Sequence, residues 1–216
     1  MPDTTVDSDH LAIRRVVEDW IIWRDSADWA RFATVWHDDG WMSATWFQGP
    51  ARDFIAASRE GFERGVNILH ALGGGSCDVN GHRAIAQTRV TILQRAPLDG
   101  VMVDVACTGR FYDFFEQRGG RWAIARRQPI YEKDRLDVVD PAASVTLDPA
   151  LLARFPEGYR HLAYVQTKNG FTVRGDLPGL RGAAVEQLYV DGRAWLGGSA
   201  AAFTTSPAPS ARSTRG

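Results

Sequence analysis

Apolar positions in the first third of the chain recur at the spacing of an α-helix. Over residues 11–24 they fall at i, i+3, i+4, i+7 and i+8, which predicts a helix with one buried stripe, formed by Ile13, Val16, Val17, Trp20 and Ile21. The same spacing predicts a second helix that starts at Trp29, includes Trp36 and ends at Gly40. A third helix is predicted over residues 51–66. This part of the chain is therefore predicted to be mainly helical.

Strand patterns separate and then follow these helices. Residues 41–47 are rich in aromatics and bounded by Gly and Pro, which predicts one strand. After the third helix the apolar period changes to 2, and four further strands are predicted over residues 68–79, 84–96, 101–116 and 121–131. Asn80-Gly81 predicts a hairpin turn, and the glycines at 73–75 predict a bulge. Three helices with an intervening strand, followed by an antiparallel meander, indicate an α+β fold.

The strand over residues 101–116 is largely apolar on both faces. Val103 and Val105 lie on one face, and Met102 and Tyr112 lie on the other. A sheet of this kind must be covered on both sides. We expect the three helices on one face and either a partner subunit or the C-terminal segment on the other.

The pattern changes again after residue 139. Three pieces with helical spacing, over residues 147–155, 159–167 and 183–196, are separated by Pro and Gly and hold too few apolar residues for a separate core. We therefore predict a main domain over residues 9–139 and a helical extension over 140–198, packed on that domain or at an interface. Residues 199–216 are rich in Ala, Ser, Thr and Pro, which predicts a disordered tail.

Composition excludes several classes of protein. The 216 residues carry a net charge of −1 without a basic block, which argues against nucleic acid as the main partner. The sequence has no apolar run of about 18 residues for a membrane span and no basic leader, so a cytoplasmic protein is expected. With two cysteines and scattered histidines, the sequence argues against a metal site. It also lacks nucleotide-binding and metalloprotease motifs. We expect chemistry by ordinary side chains, without a cofactor.

Asp25 and His70 are the first candidates for that chemistry. Asp25 continues the apolar stripe of the first helix, where a carboxylate needs a partner or a pocket. The alternative is that Asp25 or Ser26 caps the second helix. His70 follows the third helix within an apolar run, and a lone His there is more often a hydrogen-bonded core residue. If the two pair, the carboxylate fixes the imidazole tautomer and makes the other nitrogen a base.

Arg127 is the third candidate. Strict alternation along the last strand places it on a face with Ala123 and Ala125, from which it can reach across a pocket to an oxyanion or leaving group. The alternative is a surface arginine. Arg110 and Asp104 share a face of the neighbouring strand, where they either pair with each other or serve the pocket.

Three motifs carry a resemblance to a known family: residues 25–31 (DSADWAR), residues 70–74 (HALGG) and Gly120-Arg121-Trp122. Together they resemble the SnoaL-like branch of the nuclear-transport-factor-2-like superfamily, which includes scytalone dehydratase and hexachlorocyclohexane dehydrochlorinase. The resemblance covers residues 9–133. It implies a cone in which the three helices pack on a strongly curved, mostly antiparallel sheet. It also implies that His70 is the base, that Asp25 orients it and that Arg127 lies near the leaving group.

The chain also departs from both enzymes. Arg24 and Ala44 stand where the dehydratase has tyrosines, Ala86 stands where it has a second histidine, and Trp20 stands where the dehydrochlorinase has a lysine. The resemblance therefore implies a lyase that eliminates water, halide or a one-carbon fragment such as formaldehyde, and neither known substrate is carried over. The alternatives are a ketosteroid-isomerase-like isomerase and a non-catalytic domain that binds a ligand or partner.

The tryptophans suggest what the pocket holds. Six of the eight lie between Trp20 and Trp46, and these two fall at positions suited to a pocket wall, which favours a flat, hydroxylated aromatic or polycyclic substrate. Arg110 and Tyr131 are the other predicted substrate-binding residues. Three residues of the extension are further candidates: Tyr159, His161 and Lys168. Relatives of this fold assemble through the sheet face that the three helices leave uncovered, so the resemblance implies a homodimer or homotrimer.

Overall fold

A computed structural model describes residues 4–199 of the chain, with side chains from Ser8 onward. The predicted tail lies outside the described residues from residue 200. The N-terminal half holds α1 Thr4–Asp25, α2 Trp29–Thr34, β1 Trp36–Ser43, β2 Gln48–Pro50 and α3 Ala51–Glu63. Four long strands follow: β3 Asn67–Asn80, β4 Arg83–Leu98, β5 Val101–Arg118 and β6 Arg121–Val138. The extension forms α4 Pro149–Leu152, α5 Arg160–Lys168 and α6 Ala183–Leu196.

The strands form one curled, unclosed sheet in the order β2-β1-β6-β5-β4-β3. β1 runs parallel to β6, and every other neighbouring pair is antiparallel. The prediction of an α+β cone with a mostly antiparallel sheet is confirmed. None of the helices in the described part is long and apolar enough to cross a membrane.

The second helix is shorter than its apolar spacing predicts, and the prediction for Trp36 is wrong. Trp36 begins β1 and is in register with Ile124 of β6, whose N–H donates to the carbonyl of Val35 at 2.9 Å. Pairing with a long central strand outweighs a helical pattern that would have gained only one more turn. At the other end, Asp28 caps α2 by accepting from the N–H of Arg31 at 3.2 Å. Asp25 is therefore not the cap.

Two of the register shifts in the sheet bear on the sequence predictions. The predicted bulge at the glycines of β3 is confirmed, because the register with β4 shifts between Leu72 and Gly75. A second bulge at Ala125 of β6 was not predicted: Phe114 pairs with Arg126, whereas Phe115 pairs with Ile124. The extra residue changes the face of everything beyond it. Arg127 consequently shares a face with Ile124 rather than with Ala123 and Ala125, which corrects the strict alternation.

Helices cover both faces of the sheet. We call the face that carries Phe111 and Phe115 the inner face and the one that carries Tyr112 and Phe114 the outer face. Helices α1–α3 pack on one end of the inner face, and α4 and α5 pack on its other end through a separate apolar cluster. Helix α6 packs on the outer face against Tyr112 and Phe114. The C-terminal segment thus supplies the second cover that the two-sided β5 requires.

Candidate active site

A narrow cavity lies where the two helical groups meet over the inner face of the sheet. We call it the inner cavity; it holds about 440 Å³ of space between its lining atoms, its opening included. The polar side chains that line it are Arg24, Thr45, His70, Tyr131 and Gln166. Its remaining wall is apolar or aromatic and includes Trp46, Phe54 and Phe111. The cavity therefore combines a few polar groups with a largely apolar wall, as small-molecule sites do.

Asp25 and His70 meet at this cavity. Asp25 is the last residue of α1 and His70 lies near the start of β3, so the sheet–helix packing brings them together across 45 residues of chain. The imidazole Nδ1 lies 2.9 Å from Asp25 Oδ1, and the backbone N–H of His70 donates to Oδ2 at 2.7 Å. Both carboxylate oxygens thus hold the same residue, which fixes the ring relative to the backbone.

The surroundings of His70 suit a base. Nδ1–H donates to a carboxylate, so the neutral ring carries its lone pair on Nε2. Burial lowers the pKa of His70 below its ordinary value of 6.5, the Asp25 hydrogen bond opposes this, and the charges of Arg24 and Arg127 lower it further. The imidazole is therefore neutral at neutral pH and able to accept a proton at Nε2.

Arg24 is a site residue that the sequence analysis did not select. Its Nη1 donates to Asp25 Oδ1 at 3.2 Å and to the carbonyl of Ile68 at 2.9 Å, and the side chain is buried. Burial lowers the pKa of Arg24 and the neighbouring Asp25 opposes this. Nε has no partner among the described residues. The signal available in the sequence was adjacency to Asp25, but only the turn at the end of α1 aims both side chains inward.

Arg127 is paired with a residue that the sequence analysis missed. Its Nε and Nη2 each donate to Asp113 at 2.7 Å, and neither side chain is exposed to solvent. The guanidinium lies 3.7 Å from the ring centroid of Phe111 and 4.4 Å from that of Trp20. Burial raises the pKa of Asp113, and the charge of Arg127 opposes this. Arg127 is therefore held behind Phe111 and is not part of the wall of the inner cavity.

The four predicted substrate-binding residues are placed differently from one another. Trp46 and Tyr131 line the inner cavity. Trp20 is fully buried behind it, with its ring edge-on to His70 at 5.2 Å between centroids. Arg110 lies on the outer face, where it donates to Glu132 at 2.6 Å. The structure does not bring Arg110 to the cavity, because neighbouring residues of a strand point to opposite faces and Phe111 points inward.

The extension contributes to the cavity through α5. Leu162 and Gln166 line it, and Gln166 accepts from Thr45 Oγ1 at 2.6 Å while its amide donates to Gln94 at 3.1 Å. This chain of buried polar groups joins α5 to the sheet. Gln166 was missed because nothing local marks a helical glutamine as buried.

The three residues of the extension that the sequence nominated lie elsewhere. Tyr159 packs on Tyr131 and donates its hydroxyl to the carbonyl of Arg174 at 2.9 Å. Lys168 pairs with Asp99 at 2.8 Å on the surface. His161 forms a second histidine–aspartate pair, with Nδ1 at 2.9 Å from Asp134 Oδ1.

A second cavity, which we call the outer cavity, adjoins the inner one. Arg24, Trp46, Ile68 and Gln166 line both of them. The outer cavity holds about 560 Å³, its opening included, and extends between the C-terminal half of α3 and Phe171 after α5. Within the described residues no group of three or more His, Cys, Asp or Glu side chains is arranged to hold a metal ion.

Comparison with known proteins identifies relatives of the whole chain. Residues 7–128 match the SnoaL-like domain family. A PEP2-like protein of Fusarium vanettenii is 36% identical over 208 residues, which cover 91% of this chain and 89% of that protein. Pea pathogenicity protein 2 of the same organism is 35% identical over 201 residues, which cover 88% of this chain and 86% of that protein. The similarity to these proteins includes the extension.

Solved structures share the fold at low sequence identity. A proposed scytalone dehydratase from Novosphingobium aromaticivorans has a TM-score of 0.53 at 19% identity, covering 68% of this chain and 100% of its own. A hexachlorocyclohexane dehydrochlorinase (LinA type 2) has a TM-score of 0.50 at 14% identity, covering 66% of this chain and 94% of its own. At these identities the likeness shows the fold alone.

Proposed function

The chain belongs to the SnoaL-like domain family, and on that premise we propose that it is a cofactor-independent lyase acting on a small, hydroxylated aromatic compound. The observation that carries the proposal is that His70, held by Asp25, lines a mostly apolar cavity. A neutral imidazole held by a carboxylate is a base at neutral pH, and the fold is shared with a dehydrochlorinase.

In the proposed reaction His70 Nε2 takes a proton from a carbon or hydroxyl group of the substrate. When the proton comes from a carbon, its C–H pair forms a C=C bond and the bond from the neighbouring carbon to hydroxide or halide breaks. When the proton comes from a hydroxyl group, the O–H pair forms the C=O bond of formaldehyde, the C–C bond breaks, and its pair forms a C=C bond by expelling hydroxide from the next carbon. Asp25 is the positioning residue: it holds the tautomer through Oδ1 at 2.9 Å and stabilises the imidazolium that forms. When the departing group is hydroxide, the proton held by His70 is available to it.

Arg127 takes a different role from the one the family resemblance implies. Its guanidinium is bound to Asp113 behind Phe111, so we assign it an electrostatic effect on His70 rather than contact with the leaving group. Its positive charge lowers the pKa of His70 and keeps the ring unprotonated. The aromatic wall, with Trp46 and Phe111, supports the preference for a flat substrate.

The test is turnover of a panel of hydroxylated aromatic compounds by His70→Ala and Asp25→Asn. We expect both variants to lose roughly two to four orders of magnitude in kcat, the contribution of a positioned base. His161→Ala is the matched control, because its ring is held by Asp134 in the same way, at 2.9 Å from Nδ1, but it does not line either cavity. Full turnover by both site variants would rule out the mechanism.

Two alternative functions give different products. An isomerase of the ketosteroid-isomerase type moves the same proton but expels nothing, so its product keeps the mass of the substrate. A non-catalytic binding domain exchanges no solvent deuterium into a bound ligand. The apolar wall beside His70 is compatible with either, and mass spectrometry of the product in deuterated water separates all three.

A further inference from the structure

Two residues that line the outer cavity carry hydrogen-bonding groups without a partner among the described residues. Ser58, on α3, is 4% exposed, and its hydroxyl has no partner among the described residues. Arg24 is 8% exposed, and its Nε is likewise unpartnered in the described part of the chain. Both side chains line this cavity. A buried polar group without a partner is costly, so two of them in residues that line one cavity point to a ligand that satisfies both.

The chemistry of these groups selects the ligand. Arg24 Nε–H is a donor, and the Ser58 hydroxyl can donate as well. The charge of Arg24 is shared with Asp25, whose carboxylate also binds His70, so the guanidinium retains capacity for a second anion. The acid at the mouth, Glu60, is exposed and already paired with Arg64. Two unpartnered donors and a buried cation in the lining of one cavity favour a carboxylate.

The walls of the outer cavity select what carries the carboxylate. Trp46, Phe62 and Phe171 line this cavity, and the rings of Trp46 and Phe171 lie 5.7 Å apart between centroids. Aromatic rings at this spacing accept a further ring in edge or offset contact. Gln94 and Gln166 complete the buried side, where they are bonded to each other.

We infer that the outer cavity is a subsite for the carboxylate of an aromatic acid, with Arg24 Nε and Ser58 Oγ as its donors. This inference rests on the proposed function in one respect: the part of the ligand beyond the carboxylate reaches the inner cavity, which shares Arg24 and Trp46 with the outer one. The substrate class becomes a hydroxylated aromatic carboxylate.

The test is calorimetric titration of the full chain with phenylacetate and with phenylacetamide, its uncharged counterpart, at neutral pH. We expect the amide to bind at least about tenfold more weakly, because it lacks the charge that strengthens both hydrogen bonds. Ser58→Ala should weaken the binding of phenylacetate roughly ten- to a hundredfold and change the affinity for phenylacetamide much less. Ser76→Ala, at an exposed serine that does not line either of the two cavities, is the control and should bind as the unchanged protein does.

Three results would overturn the inference: equal affinity for acid and amide, no effect of Ser58→Ala, or no measurable binding of phenylacetate. An equal loss in Ser76→Ala would place the ligand elsewhere and overturn it too. His70→Asn separates the inference from the proposed function, because His70 lines the inner cavity but not the outer one. If His70→Asn still binds phenylacetate but loses turnover, both the carboxylate subsite and the proposed function are supported. If its turnover is unaffected, the carboxylate subsite is still supported but His70 is not the base.

Discussion

Replacing Asp113 with asparagine tests whether burial increases the contribution of the Asp113–Arg127 ion pair to the free energy of unfolding. Arg127 and Asp113 share two hydrogen bonds of 2.7 Å with both side chains fully excluded from solvent. Asparagine keeps the volume but removes the charge, and its amide turns a donor toward a guanidinium that has only donors. The buried positive charge of Arg127 is then uncompensated.

The structure sets the size of the effect. Removing one member of a buried pair costs about 3–5 kcal/mol. The rings of Phe111 and Trp20, at 3.7 and 4.4 Å from the guanidinium, still stabilise the cation by about 0.5–2 kcal/mol each, so we expect a loss near the lower end, about 3 kcal/mol. For a chain of this size that lowers Tm by roughly 6–12 °C.

The assay is denaturant and thermal unfolding of Asp113→Asn beside Asp104→Asn. Asp104 makes the same two-pronged pair with Arg95, at 2.7 and 2.6 Å, but the two side chains are 43% and 50% exposed. An exposed pair contributes about 0–1 kcal/mol, so Asp104→Asn should shift Tm by no more than a few degrees. If the two variants lose the same stability, burial does not amplify the pair and Asp113 is not ionised in the folded protein.

Three further predictions follow from single features. Because burial lowers the pKa of His70, the folded protein binds its proton less readily than the unfolded chain; stability should fall as pH drops below about 6.5, and His70→Asn should flatten that part of the profile. The turnover of the unchanged protein should persist below pH 6.5, because His70 stays unprotonated there. If kcat/KM already decreases at pH values above 6.5 as the pH is lowered, the pKa of His70 is not depressed. A Cβ at Gly192 would clash with the hydroxyl of the buried Tyr112, so Gly192→Ala should lower the free energy of unfolding by about 1–3 kcal/mol. Gly197→Ala, whose Cβ would make ordinary contacts from 3.4 Å, should lower it by less.

The sequence located Asp25 and His70 as candidate site residues because its signals are local. Asp25 stands on the apolar stripe of α1, and His70 stands inside an apolar run, so each was marked as a polar group facing the core. The remaining alternative, that Asp25 caps the next helix, was settled by Asp28, which accepts the N–H of Arg31 instead. The prediction that the two residues pair needed only their identification as inward-facing neighbours in the family fold.

Predictions that depended on the identity of the neighbours were less accurate. The bulge at Ala125 turns Arg127 toward the inner face, on which Ile124 also lies. There Asp113 accepts two hydrogen bonds from its guanidinium. Trp20 was expected on the pocket wall, but it is covered by Phe32, Phe54 and Phe111. Neither a bulge of one residue nor the depth of an aromatic behind a wall is encoded in apolar periodicity.

By itself the sequence predicted the three N-terminal helices, the four long strands and the α+β class, because periodicity and turn residues act over a few positions. The family resemblance added the pairing of Asp25 with His70. Only the tertiary structure decided where Trp36, Arg127 and Arg110 point and which groups close the site. Gln166 reaches the cavity from α5 and Ser58 from α3, and their burial arises from packing between segments far apart in the chain. Side-chain burial of that kind is a property of the assembled layers, and no local pattern of residues contains it.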